Sequence, residues 1–210
     1  MFPASTEFGK RIPKQKFYEN LDVSPVLRRA FIDQIRLVYW RNKLAAGGKA
    51  VTEIEVLEIR LNGPQLDEAV LKQIDKEIPY HILFILTFDG KAQAWIGHKS
   101  AAASGSSAFK VNRYYHTDWI PENEIDLRID GLTLDAVYDN FVKQVAELQG
   151  EEWNANCGAA ENVAQSLARE KLKKQIAALE KKMRREKQLN RQMEMHAELK
   201  KLQIELRQIT

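Results

Sequence analysis

Four charged residues have the types and spacing of a metal-dependent nuclease. Asp89, Gly90 and Lys91 place an acid two residues before a lysine. In restriction-type nucleases such a pair and a carboxylate from another strand hold a divalent cation. Glu55 and Glu58 lie on a predicted strand and are the candidate partners. Because Asp89 and Gly90 are typical of a tight hairpin turn, this quartet is an alternative and not the main interpretation.

Other catalytic chemistry has less support in the sequence. The four histidines are scattered, and Cys157 is the only cysteine, so neither a zinc cluster nor an internal disulfide is expected. The chain contains no glycine-rich phosphate loop and no nucleophile elbow. We therefore predict no catalytic residue outside the nuclease alternative, no metal site and no cofactor.

Two basic clusters are candidates for nucleic-acid binding, because cations neutralise phosphates and aromatic rings stack on bases. The first cluster consists of Lys10, Arg11, Lys14, Lys16, Phe17 and Tyr18. The second consists of Lys181, Lys182, Arg184 and Arg185. Residues 161–210 hold 13 Lys or Arg against 7 Asp or Glu, so they carry +6 in a chain whose net charge is +3. Alternatively, the first cluster is a tail packed on the core by its aromatic rings, and the second is an ordinary solvated helix face.

The elements that position these residues alternate between helix and strand. Ser24 followed by Pro25 is typical of a helix start, and the Asp89–Gly90 turn predicts that the strands on either side pair antiparallel. The pattern predicts helices over residues 25–36, 66–76 and 132–148, and strands over residues 52–61, 82–88, 92–98 and 109–119. We expect an α/β (α+β) fold, with a small mixed β-sheet flanked by helices.

The strand at residues 52–61 contains an irregularity. Ile54 and Val56 point to one face, whereas Leu57 and Ile59 point to the other, so either both faces are buried or a bulge shifts the alternation. A regular strand would place Glu58 beside Ile54 and Val56. Because an unpaired buried carboxylate is costly, we expect a bulge that turns Glu58 toward solvent or a nearby arginine.

The last fifty residues contain no Gly and no Pro and predict a long coiled-coil helix of about 75 Å. Such a helix is too long for its own domain to cover, so its apolar seam should bind a partner chain. The seam is interrupted near residues 186–190, which leaves a continuous helix or a two-piece helical hairpin open. A single helix folded back on its own domain is a further alternative. The predicted partner-binding residues are Leu172, Ile176, Leu179, Met183, Met195, Leu199, Leu202, Leu206 and Ile209.

These patterns divide the chain into a basic N-terminal segment (1–20), an α/β domain (21–150), a hinge (151–160) and a coiled-coil arm (161–210). Gly47 and Gly48 predict a turn, and the small residues of 100–108 predict a flexible loop. No apolar run has the length of a membrane span. We expect a cytoplasmic protein without membrane contact.

Several segments together resemble a bacterial family of unknown function, domain of unknown function family 4391. The segments are KRIPKQKFYEN (10–20), TEIEVLEI (52–59), IPYHILFIL (78–86), HTDW (116–119) and LNRQMEMHAELKKLQIEL (189–206). The resemblance implies an accessory protein encoded beside DEAD-box or SNF2-type helicases and DNA methyltransferases, in restriction-like or phage-defence gene clusters. It implies no catalytic residue.

The sequence thus leads to three hypotheses. The main one is a non-catalytic interaction subunit of a DNA-processing or phage-defence system, which assembles with itself, a helicase or a methyltransferase through the arm. The second is the metal-dependent nuclease, and the third is a DNA-binding protein that acts without a partner.

Overall fold

The computed structural model describes residues 2–19, 23–45, 49–101 and 109–209. The predicted turn at Gly47 and Gly48 and most of the predicted loop at 100–108 lie outside these residues. The chain forms two compact units, Met1–Trp153 and Asn154–Thr210. The division falls within the segment predicted to be a hinge. None of the helices in the described segments combines the length and apolar composition needed to cross a bilayer.

The first unit contains a seven-stranded mixed sheet, which confirms the predicted fold class. The strands are β1 (Glu7–Ile12), β2 (Ile35–Ala45), β3 (Glu53–Leu61), β4 (His81–Phe88), β5 (Lys91–Ala101), β6 (Phe109–His116) and the short β7 (Ile120–Pro121). The first six lie in the order β1-β2-β3-β4-β5-β6, and β7 pairs with β5. Only β3 and β4 pair in parallel; β4 and β5 pair antiparallel, as predicted.

Three helices cover the sheet: α1 (Pro25–Gln34), α2 (Glu68–Glu77) and α3 (Leu134–Leu148). Their starts follow from local capping, since the side chains of Ser24, Asp67 and Thr133 accept hydrogen bonds from the first turn of each helix. α1 and α2 pack on one face, where they meet Leu57, Ile59 and other core residues. The opposite face packs against α3. We call these the α2 face and the α3 face.

The irregular strand β3 is buried on both faces, and its pairing with β4 is regular. The predicted bulge lies instead in its other neighbour, β2, between Trp40 and Asn42. Arg41 is the extra residue there. Because side chains alternate along β3, Glu55 belongs to the α2 face with Leu57, whereas Glu58 belongs to the α3 face.

The second unit is a helical hairpin, and a continuous fifty-residue helix is therefore wrong. α4 (Ala159–Met183) and α5 (Leu189–Gln208) are joined by residues 184–188 and pack against each other. Glu186 organises the connection by accepting hydrogen bonds from the backbone N–H groups of Lys187 and Gln188, at 2.8 and 2.9 Å. Helix propensity alone favours one rod, but folding back buries both apolar runs, and packing outweighs propensity.

The nine predicted seam residues lie on α4, on α5 or, for Ile209, just after α5. Leu172 and Leu199 are buried, at similar distances from the connection, and the other seven are half-buried. Because α4 and α5 pack against each other, the burial of these residues does not require a second polypeptide. Their binding to a partner stays a prediction.

Candidate functional site

Glu58 is the first charged residue to consider, because it is buried within the sheet. Arg41, the bulged residue of β2, forms a very short hydrogen bond to it, and Arg60 donates a second at 2.6 Å. Both guanidinium groups also lie over the ring of Tyr39, at 5.2 and 4.9 Å. Burial alone would raise the pKa of Glu58, but the two arginines outweigh it and lower the pKa. The expected turn of Glu58 toward an arginine is confirmed, although the bulge lies in the neighbouring strand.

The structure does not bring the nuclease quartet together. Glu58 and Asp89 line one polar cleft of about 290 Å³, which we call the turn cleft. Glu55 lies on the opposite face of the sheet, and Lys91 is not among the residues that line this cleft. Asp89 occupies the β4–β5 turn with a φ of 49°, so it is not on the strand. Within the described segments, no three His, Cys, Asp or Glu side chains are grouped to hold a metal ion.

The α2 face contains a different site, which we call the β1 pocket. It has a volume of about 480 Å³ and lies where the edge strand β1 meets β2, β3 and the end of α2. Exposed cations, aromatic rings and two carboxyl groups line it together. Its lining residues are Phe8, Lys10, Arg11, Ile12, Pro13, Lys16, Phe17, Trp40, Glu55, Glu77, Ile78, Pro79 and Tyr80.

The first basic cluster is therefore split between pocket and core. Lys10 and Lys16 are exposed at the pocket. Arg11 is also exposed, but it pairs with Tyr39, so alternation along β1 directs its side chain to the α3 face. Phe17 and Tyr18 are buried against Phe31, with ring centroids 6.2 and 5.6 Å away. Although Phe17 forms part of the pocket wall, neither ring is presented for stacking on a base. The alternative in which the aromatic pair packs on the core is confirmed.

Lys14 is also structural. Its Nζ donates hydrogen bonds to the backbone carbonyls of Ile32 and Ile35 at 2.8 and 2.5 Å, which satisfies the C-terminal end of α1. Burial lowers its pKa, and the charge of Asp33 offsets this in part. Lys14 is thus removed from the nucleic-acid candidates because its charge serves the fold.

Glu55 is a buried residue of the pocket lining, with only 3% of its surface exposed. Burial raises its pKa to about 7, the charge of Glu53 adds to the rise, and Lys43 opposes it. Lys43 is committed to Glu53, at 2.7 Å. Among the described residues, the charged groups that act on Glu55 include no arginine, in contrast to Glu58, which is paired with Arg41 and Arg60. The carboxyl group of Glu55 can therefore donate or accept a proton near neutral pH.

Sequence reasoning missed the aromatic walls of this pocket. Phe8 lies 4.2 Å from Trp40 between ring centroids, and the Nζ of Lys10 lies 4.4 Å from the Phe8 ring. Tyr80 contributes from the connection between α2 and β4. The segment EFGKRI before Pro13 has the composition of a short edge strand. The sequence predicts only a basic N-terminal segment there and identifies no partner for Trp40.

A comparison with family models decides the membership of the chain. The model described as Domain of unknown function (DUF4391) matches residues 1–206. The chain belongs to this family. No curated protein and no solved structure matches the chain.

The second basic cluster of this DUF4391 family member lies at one end of the helical hairpin. Lys181 and Lys182 end α4, and Arg184 and Arg185 begin the connection. All four are exposed, and none forms a salt bridge with another residue in the described part of the chain. We call this group the basic tip.

The hairpin also has an outer apolar stripe on α5. Leu189, Met193 and Ile204 are 69%, 66% and 48% exposed. Their spacing of four and eleven residues places them on one side of the helix. This exposed stripe is distinct from the predicted seam, whose residues are buried or half-buried.

Proposed function

We propose that this protein is a non-catalytic accessory subunit of a bacterial DNA-processing or phage-defence system, which contacts nucleic acid through the basic tip. The observation that carries the proposal is the tip itself. Four exposed cations that have no salt-bridge partner among the described residues lie within five residues of chain, at the end of a hairpin. Such a cluster attracts phosphate groups without reading sequence.

The rest of the hairpin supports the role of a subunit. The outer stripe of α5 leaves large apolar side chains exposed on the helix that begins beside the tip. Apolar surface of this kind is typical of protein contact sites. The resemblance stated above makes a helicase or DNA methyltransferase the expected partner, and a cytoplasmic location agrees with that role.

The proposal is tested by duplex DNA binding, measured by fluorescence anisotropy over a range of salt concentrations. Replacement of Lys181, Lys182, Arg184 and Arg185 by glutamine should weaken DNA binding. The slope of log affinity against log salt concentration should become less steep by about 3 to 4, which is close to one for each lost phosphate contact. The matched control replaces the exposed Lys171, Lys173, Lys200 and Lys201, which lie elsewhere on the same helices.

The control should keep the wild-type slope if the tip contacts DNA. Equal losses in both variants would mean that only net charge matters, and wild-type binding insensitive to salt would exclude phosphate contact.

The subunit role is tested separately, by purification from the native host. We expect the wild-type protein to retain a helicase or methyltransferase. This partner should be lost when Leu189, Met193 and Ile204 are changed to glutamine. Retention of neither enzyme by the wild-type protein would contradict it.

A further inference from the structure

The charged groups of the β1 pocket differ in their exposure. Lys10 and Lys16 are exposed to solvent, and neither has a salt bridge to a carboxylate in the described segments. Glu55 is almost fully buried, and Glu77, the second carboxyl group of the lining, accepts a hydrogen bond from the side chain of Gln73 at 3.0 Å. A ligand that fills the pocket would therefore meet two exposed cations and a buried carboxyl group.

Aromatic rings form part of the pocket wall. Phe8 and Trp40 pack at 4.2 Å between ring centroids, with their planes tilted by 45°. The indole N–H of Trp40 donates to the carbonyl of Asn42 at 3.1 Å, which fixes the ring orientation. Tyr80 also lines the pocket. An aromatic ring that is held in place in this way favours a planar heterocycle, because any base can stack on its exposed surface.

The buried carboxyl group can recognise the edge of such a heterocycle. The side chain of Glu55 is almost fully buried, and the charged groups that act on it are Glu53, Lys43 and Lys99. With a pKa raised to about 7 by burial, it exists near neutral pH in both protonated and ionised forms. It can therefore donate or accept a hydrogen bond, and its partial neutrality limits the repulsion of an anionic ligand.

We propose that the β1 pocket binds a nucleotide, with its base against Phe8 and Trp40, the base edge at Glu55, and its phosphates at Lys10 and Lys16. The pocket volume of about 480 Å³ lies within the usual range of about 300–1,000 Å³ for small-molecule sites. The same chemistry fits a free nucleotide and the phosphorylated end of a DNA strand. This site is separate from the basic tip and does not depend on it.

Isothermal titration calorimetry on the full-length protein tests the proposal with four probes: ATP, adenosine, tripolyphosphate and a 5′-phosphorylated oligodeoxyadenylate. ATP should bind about tenfold more tightly than adenosine or tripolyphosphate, since each of these lacks one half of the contacts. Tighter binding of the oligonucleotide than of ATP would identify a strand end as the natural ligand, and the reverse order would identify a free nucleotide.

Two variants separate the halves of the site. Replacement of Lys10 and Lys16 by glutamine should weaken the binding of ATP and of tripolyphosphate alike, by about tenfold, because charge-assisted hydrogen bonds to phosphate are lost. Glu55→Leu should weaken ATP by a similar factor and leave tripolyphosphate unchanged. The matched control replaces Lys72 and Lys76 by glutamine; both are exposed on α2 outside the pocket, and no change is expected.

Three results would overturn the proposal. The first is equal affinity for ATP and tripolyphosphate, which would mean that only charge is recognised. The second is the same loss in the Lys72 and Lys76 control as in the pocket variants. The third is the absence of binding by all four probes up to about 1 mM, which corresponds to about 4 kcal/mol of binding free energy. Because the tip variants keep the pocket intact, failure here leaves the DNA-binding test of the hairpin unaffected.

Discussion

Glu55 and Glu58 lie three residues apart on the same strand and are buried to a similar extent, at 3% and 6% exposed. Their carboxyl groups nevertheless behave in opposite ways. The pKa of Glu58 is lowered by hydrogen bonds from Arg41 and Arg60 despite burial. The pKa of Glu55 is raised to about 7, because burial is reinforced by Glu53 and opposed only in part by Lys43. The difference lies in the partners that each face of the sheet provides.

This contrast separates a structural carboxylate from a reactive one. On the α3 face, the bulge in β2 brings Arg41 to Glu58, so the charge is satisfied and holds strands together. On the α2 face, Glu55 lines a pocket whose cations are exposed to solvent. A perturbed carboxyl group without a fixed counter-ion, placed in a cavity, is the feature expected of a binding site.

The α2 face also contains a carboxylate that does have a buried partner, and its loss should give the largest effect. Asp75 and Lys99 form an ion pair at 2.7 Å with side chains only 2% and 1% exposed. Lys99→Met leaves the Asp75 charge buried without its counter-ion and should lower the free energy of unfolding by about 3–5 kcal/mol. Urea denaturation followed by circular dichroism measures this change.

The matched control is Lys72→Met, which breaks an exposed pair with Glu68 and should cost less than about 0.5 kcal/mol. Combining Lys99→Met with Asp75→Asn removes the unpaired charge and should restore much of the stability. If Lys99→Met costs no more than the control, the α2 face does not require buried carboxylates to be paired, and the contrast between Glu55 and Glu58 loses its physical basis.

The next largest effect is the pH dependence of stability that Glu55 imposes. The pKa of Glu55 rises from 4.5 to about 7 on folding. Its contribution to the free energy of unfolding is therefore fully present below pH 4.5 and is lost as the pH rises through 7. Glu55→Gln cannot ionise. Relative to the wild type, this variant should therefore gain about 2 kcal/mol of stability between pH 5 and pH 8.5. Urea titrations at both pH values measure the gain.

Glu58→Gln is the internal comparison, and its effect has the opposite sign. The pKa of Glu58 is lowered, so its contribution is present above the unfolded value and disappears as the pH falls through the folded value. The variant should be less stable than the wild type by about 1 kcal/mol at neutral pH, a modest loss because Arg41 and Arg60 are 43% exposed. Parallel pH profiles for both variants would refute the assignment of different environments.

Sequence periodicity predicted the sheet and its helices because each element follows a local rule. Ser24 caps α1, and the Asp89–Gly90 turn joins β4 and β5 antiparallel. The β1 pocket was not predictable in the same way. Its lining comes from segments distant in sequence, and β1 itself is a short edge strand whose pairing with β2 appears only in three dimensions. Spacing also could not distinguish Phe17 and Tyr18, which pack on Phe31, from rings that are free to stack.

The helical hairpin was also not predictable from local sequence patterns alone. The absence of glycine and proline in the last fifty residues favours one helix, and the interrupted seam near residues 186–190 is compatible with both a continuous helix and a hairpin. The chain reverses there because Leu172 and Leu199 are buried when the two runs pack together. The free energy gained by burying these side chains depends on contacts between the two apolar runs and not on the helix propensity of any residue in the connection.

The smallest expected effect tests which neighbours set the pKa of Glu55. Glu53 raises it and Lys43 lowers it, while the two neighbours are themselves paired at 2.7 Å. Glu53→Gln should therefore lower the pKa of Glu55, and Lys43→Gln should raise it, each followed by a carboxyl ¹³C NMR titration. Arg60→Gln, which removes a partner of Glu58 on the other face, should leave it unchanged. Because burial is the largest cause of the shift, the pKa should stay above its ordinary value in all three variants. A return to 4.5 in Glu53→Gln would mean that paired charge, and not burial in the pocket lining, holds the proton.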